Sequence, residues 1–88
     1  MNEPRETRLK RLKMRSMRRG IKEMDIILSR FADDCLSQMS PQELDIYEGF
    51  LDQNDQDLYQ WVSGQRPCAP QFIALVRGIK AHISQVHG

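Results

Sequence analysis

Apolar residues recur at intervals of three and four along most of the chain, and nowhere at the interval of two that marks a half-buried strand. The first stripe is narrow. From Thr7, residues Leu9, Leu12 and Met17 stand among Lys10, Arg11, Lys13, Arg15 and Arg18, which predicts a short basic amphipathic helix behind a frayed end at residues 1–6. The second stripe is the clearest of the first half: Met24, Ile27, Leu28, Phe31, Cys35 and Leu36 predict a helix over residues 21–38, with Lys22, Asp25, Ser29, Arg30 and Asp33 on its polar face. Ser40-Pro41-Gln42-Glu43 combines a serine N-cap, proline at the first helical position and glutamate at the third. It opens a third helix to about Asp52, with Leu44, Tyr47, Phe50 and Leu51 inward and Asp45, Glu48 and Asp52 facing water. Asn54 caps a fourth helix, whose apolar face is Leu58, Trp61 and Val62, and which ends at Gly64 in the C′ role with Pro67 beyond. A stiff connector from Arg66 to Pro70 leads into a last helix, with Pro70 at its first position and Phe72, Val76, Ile79, Ile83 and Val86 inward, widened by Ile73 and Leu75. The expected fold is all-α: a single domain, residues 1–88, forming a compact bundle of five short helices. Trp61, the only tryptophan, is expected to anchor its core.

Length sharpens this picture. A chain of 88 residues buries roughly 60–65% of its unfolded surface, which leaves little room for an enclosed active site. The first apolar run, Met24 to Leu28, is too short to span a bilayer, so membrane insertion is not expected. Cys35 and Cys68 have neither metal-site nor redox-motif spacing and are read as reduced, Cys35 in the core and Cys68 in a loop. The net charge of +1 conceals a strong polarity: residues 1–22 carry nine Lys and Arg against Glu3 and Glu6, whereas residues 23–57 carry ten acids against Arg30 alone. Much of the basic charge is therefore expected to be answered within the fold.

The two regimes meet at Arg18-Arg19-Gly20-Ile21-Lys22-Glu23-Met24-Asp25. Gly20 can serve as a C′ residue with positive φ, or as the N-cap of the next helix, which would put Glu23 at N3 against the unpaired amides. Two guanidinium groups and two carboxylates around a glycine suit recognition better than bond-making. Arg18, Arg19, Gly20, Glu23 and Asp25 are the candidate partner-binding residues. Catalysis has little to stand on: His82 and His87 lie five apart and read as surface residues, and Glu23 and Asp25 project about 200° from each other on a helix. Neither a phosphate loop nor metal-ligand spacing is present. The chain therefore reads as a binding protein, not an enzyme. Its basic first helix can bind nucleic acid, lie on an anionic membrane, act as a transit peptide or be the solvated first helix of a bundle, and the last is favoured. Rival classes are a nucleic-acid-binding module and a toxin-neutralising or other small regulatory protein.

Arg19-Gly20-Ile21-Lys22-Glu23 resembles the R-G-x-x-E motif of the succinate dehydrogenase assembly factors that promote flavinylation, a family of small five-helix proteins. The stretch from Phe50 to Val62, with Asp55, Asp57, Leu58, Tyr59 and Trp61, is similar to the family's acidic helix start followed by a tryptophan. Together they cover about residues 8–80; the Arg66 to Pro70 connector departs from the pattern. The resemblance implies a chaperone-like partner of the flavoprotein subunit of succinate dehydrogenase, and of fumarate reductase, that assists covalent attachment of FAD to a histidine of that subunit. It implies that Arg19, Gly20 and Glu23 form the functional core, supported by Asp25, with Gly20 admitting the partner's backbone and Arg19 pairing with a partner carboxylate. The chain would act as a monomer, bind no cofactor itself and leave FAD to the flavoprotein, without nucleic acid. Because the family-like region begins within about ten residues of Met1, no room is left for a transit peptide, and a bacterial cytoplasmic location is expected.

Overall fold

The computed structural model describes residues 3–87, with side chains described through Gln85. Met1, Asn2 and Gly88 lie outside the described residues, as do the side chains of Val86 and His87, for which burial and exposure were expected. Five α-helices follow one another: α1 (Arg5–Arg15), α2 (Lys22–Cys35), α3 (Pro41–Leu51), α4 (Asp55–Val62) and α5 (Ile73–His87). Single 3-10 turns, Leu36–Gln38 and Pro70–Phe72, follow α2 and precede α5. No strand occurs among the described residues. The radius of gyration, 12.4 Å, matches the value of about 12 Å for a compact chain of this length.

Local chemistry sets the boundaries. The Glu43 N–H donates to Ser40 Oγ at 3.1 Å and the Ser40 N–H to Glu43 Oε1 at 2.8 Å, completing the expected capping box at α3. Asn54 Oδ1 accepts from the Gln56 N–H at 2.8 Å to open α4. At the other end of α4, Gly64 takes φ +82°, its N–H bonds the Trp61 carbonyl and the Gln65 N–H bonds that of Gln60. That is the glycine-terminated Schellman arrangement, in which a left-handed residue satisfies the last carbonyls.

Leu28, Phe31, Leu44, Tyr47, Phe50, Leu58, Phe72, Val76 and Ile79 fill the core where α2 to α5 converge. The rings of Phe31, Tyr47, Phe50, Phe72 and Trp61 run through it with neighbouring centroids 5.5 to 6.4 Å apart. Trp61 is half-buried at the edge of this row rather than enclosed. Helix α1 starts at Arg5, inside the stretch expected to fray, because the Arg8 N–H already bonds the Pro4 carbonyl. It buries Leu12 and half-buries Leu9, whereas Met17 lies beyond its end and is 47% exposed. Ionic contacts supplement that small apolar contribution. Arg8 pairs with Asp45 and Glu48, Arg11 with Glu3 and Glu48, Arg15 with Asp52, and Lys13 with Asp33. Asp45 and Asp52 stand exposed as expected while pairing with α1, and Glu48 is half-buried between Arg8 and Arg11.

Two polar residues are buried, one of them against expectation. His82 was read as a surface residue, yet it shares the inward stripe with Ile79, stands edge-on to Phe31, and has Nε2 2.7 Å from Asp34 Oδ2. Ser16, just past α1, is fully buried; its Oγ donates to the Leu12 carbonyl at 2.8 Å and lies 2.5 Å from the Tyr47 hydroxyl. Burial pushes the Tyr47 phenol up to about 12. Cys35 and Cys68 are free and half-buried, and burial raises both thiols. Ile73, placed on the buried face of the last helix by its spacing, is 44% exposed at the first turn of α5.

Candidate partner-binding site

Between α1 and α2 the chain makes an irregular turn, and a single carboxylate organises it. Asp55, the first residue of α4, accepts from Arg19 Nε at 2.8 Å through Oδ1 and from the Gly20 N–H at 2.7 Å through Oδ2. The same guanidinium donates to the Arg15 carbonyl at 2.8 Å and to the Leu51 carbonyl at 3.1 Å. Arg19 thereby ties the end of α1, the end of α3 and the start of α4 together, with its side chain only 11% exposed. A charge so placed is stabilised by a carboxylate and by hydrogen bonds from all three of its nitrogens.

This geometry corrects the sequence reading at three positions. Arg19 is committed inside the molecule and does not present its fork to a partner carboxylate. Gly20 is neither a positive-φ C′ residue nor the N-cap: Arg18 takes the left-handed backbone (φ 55°), and Ile21 is the N-cap of α2. Glu23 consequently sits at N2 and not N3, still within reach of the positive end of the helix. The close approach at Gly20 is made by Asp55 of the same chain, since a Cβ there would lie 2.9 Å from Asp55 Oδ2. The two motif-bearing stretches of the sequence therefore meet in one place. Asp55 was the residue missed as a site member; its signal was the acidic first turn after Asn54, whose partner sequence spacing could not identify.

The exposed side of the turn carries Arg18, Gly20, Lys22 and Glu23, flanked by Met17 and Ile26, the latter 48% exposed. Asp25 is half-buried and accepts from Ser29 Oγ at 3.2 Å, so it belongs to the side of α2 and not to the face around Glu23. A shallow depression of about 320 Å³, bounded by Arg15, Met17, Arg18, Arg19, Gly20 and Asp55, opens to solvent at the turn. Among the described residues no three His, Cys, Asp or Glu side chains gather as metal ligands, and no helix is long and apolar enough to cross a membrane. The basic stripe of α1 is mostly spent: Arg8, Arg11, Lys13 and Arg15 pair with acids, as does Arg19 beyond its end, and Arg5 donates to the Ser37 and Met39 carbonyls. Arg11 holds the Glu3 and Glu48 carboxyls below the usual carboxylate range. Helix α1 is thus the solvated first helix of the bundle.

Residues 10–83 match the family described as "Flavinator of succinate dehydrogenase". The chain is 47% identical over 57 residues to succinate dehydrogenase assembly factor 2, mitochondrial, of Aspergillus flavus, an alignment covering 65% of this chain and 20% of that protein. It is 43% identical over 68 residues to the protein of the same name in Meyerozyma guilliermondii, covering 77% of this chain and 50% of the relative. With assembly factor 2-A, mitochondrial, of Drosophila yakuba it shares 33% over 90 residues, covering 99% of this chain and 56% of the relative. The chain therefore spans about half of these relatives or less. The expected bacterial cytoplasmic location is overturned by the same comparison, because these relatives are mitochondrial proteins of fungi and flies, and the closeness of Met1 to the matched region carries no weight against that. With the match running from within α1 to within α5 and including both halves of the Arg19–Asp55 junction, the chain belongs to the family of flavinators of succinate dehydrogenase.

Proposed function

We propose that this chain binds the flavoprotein subunit of succinate dehydrogenase, and of fumarate reductase, and promotes covalent attachment of FAD to it. It does so as a monomer that binds no cofactor of its own. One observation carries the reading: Arg19 and Gly20 are locked onto Asp55, and this lock presents Arg18 and Glu23 to solvent on a turn that holds a non-glycine residue at φ 55°. A left-handed arginine costs about 1–2 kcal/mol, and such strain persists where the surroundings over-determine it, which they do most often at functional sites.

The roles divide accordingly. Arg19 and Asp55 are positioning residues. Arg18 offers a fork for a partner carboxylate, Glu23 an acceptor for partner donors, and Met17 and Ile26 the apolar area around them. Asp25 steadies α2 through Ser29. Gly20 leaves room for the Asp55 carboxylate that holds the turn. The groups that form the flavin bond belong to the flavoprotein, and this chain contributes by binding the competent conformation more tightly than others. Moving a partner from one per cent to ninety-nine per cent competent needs about 5.5 kcal/mol of differential binding. Calorimetric titration of the purified flavoprotein subunit tests the reading. Glu23→Ala and Arg18→Glu are expected to weaken binding about tenfold or more while far-UV circular dichroism is unchanged. Unaltered affinity in both variants would refute it.

A further inference from the structure

Beyond Asp57 the sequence contains no Asp or Glu, yet Arg66, Arg77 and Lys80 all lie there. The fold gathers these three around one open depression of about 470 Å³ between the end of α4, the connector that follows it and the outer face of α5, with Trp61, Cys68 and Ile73 among its walls. On α1 most cations meet acids of their own chain. Here, among the described residues, none of the three makes an ion pair. Arg66 donates to the neutral Gln60 Oε1 at 3.3 Å, and Lys80 Nζ lies 3.7 Å from the point where a Cβ on Gly64 would stand, against the negative end of α4. Arg77 has no internal partner among the described residues. Trp61 packs on Phe50 and Phe72 from within, and Ile73 is 44% exposed, so the cations border an apolar wall.

We propose that this depression is a docking site for an acidic polypeptide segment, in which carboxylates pair with Arg66, Arg77 and Lys80 and an intervening aromatic or aliphatic side chain rests on Trp61 and Ile73. Charge complementarity selects the sign of the occupant. Shape selects its class, because pockets for small ligands bury most of the ligand, whereas this depression is open along one side. Arginine and tryptophan together at a partly wet surface are the composition of protein contacts. The site is separate from the α1–α2 turn: Asp55 begins α4 and Gly64 follows its end, about 12 Å along the axis. It does not rest on the flavoprotein reading.

Trp61 is the only tryptophan, so its fluorescence reports from the wall of the site itself. The full chain is titrated at low salt with the blocked peptide Asp-Glu-Phe-Asp-Glu, with its Lys-Lys-Phe-Lys-Lys counterpart and with inorganic pyrophosphate. A saturable change with the acidic peptide alone, lost at high salt, is expected, and Arg77→Glu should weaken it about tenfold with circular dichroism unchanged. Arg66→Gln, in the connector, gives an independent second variant, and Lys10→Glu on α1 should bind as the wild type does. No saturation with the acidic peptide, or wild-type affinity in both Arg77→Glu and Arg66→Gln, overturns the proposal. Tighter binding of pyrophosphate than of the peptide also overturns it, by making the depression a small-phosphate site.

Discussion

Replacing Asp55 by alanine removes one carboxylate and two hydrogen bonds, at 2.8 Å to Arg19 Nε and 2.7 Å to the Gly20 N–H. A solvated surface pair is worth about 0.2–1 kcal/mol. Stranding a buried charge costs about 3–5 kcal/mol. This pair lies between, nearer the buried limit, with side-chain exposures of 11% for Arg19 and 22% for Asp55. The carbonyls of Arg15 and Leu51 remain to hold the guanidinium, and loss of an acid from the first turn of α4 adds about 0.5 kcal/mol. The expected destabilisation is about 3 kcal/mol, a large part of the roughly 4–13 kcal/mol available to a chain of this size. It corresponds to a fall in Tm of about 12–24 °C. Urea unfolding followed by circular dichroism should show a lower midpoint with the slope kept. Asp55→Asn, which retains an acceptor for the Gly20 N–H, should lose about half as much. A cycle with Arg19→Ala should give a coupling of about 1–3 kcal/mol. A loss below about 1 kcal/mol, or strict additivity with Arg19→Ala, would refute the view that this pair organises the turn.

Other expectations follow from neighbouring groups. Glu23→Ala at N2 should change stability by no more than about 1 kcal/mol, and Ile26→Asp, on a solvent-facing position, should leave the unfolding midpoint near wild type while abolishing capture of the flavoprotein subunit. A Gly20→Ala Cβ would stand 2.9 Å from Asp55 Oδ2, displacing the carboxylate and costing about 1–3 kcal/mol in the same urea assay. The Tyr47 phenol is raised from 10 to about 12; its contribution is present below the unfolded value and fades as pH rises from 10 towards 12, so wild type should lose stability more steeply there than Tyr47→Phe. Glu48 titrates below its usual 4.5, held down by Arg11 and Arg8; its contribution is present above that value and is lost as pH falls through the depressed one, so Glu48→Gln should flatten the acid limb of a stability–pH curve.

Which parts of this were legible in the sequence follows from how far the determining contacts reach. The start of α3 was written in Ser40, Pro41 and Glu43, and the end of α4 in Gly64, because caps are set by residues within one turn. The inward stripes of α2 and α3 were legible for the same reason, their period being a property of one helix. The site was only half legible. Arg18, Gly20 and Glu23 do stand exposed at the turn, but the role of Arg19 depends on Asp55, 36 residues away, and no local pattern names that partner. The left-handed Arg18 was invisible because glycine is the usual choice for such a backbone, and here the neighbouring glycine does not adopt it. His82 was misplaced because a histidine on an apolar stripe is buried only when a partner such as Asp34 waits across the interface.

The proposed role of the exposed face of the Arg19–Asp55 turn is to drive flavinylation of the partner. The most direct test is flavin fluorescence of the succinate dehydrogenase flavoprotein subunit after denaturing electrophoresis, expressed alone, with this chain, and with its Glu23→Ala variant, since only covalently bound flavin survives denaturation. The signal is expected to rise with the wild type and to stay at the level of the subunit alone with Glu23→Ala, while the variant protein remains folded and abundant. An equal signal with wild type and variant, or no rise with either, would contradict that role.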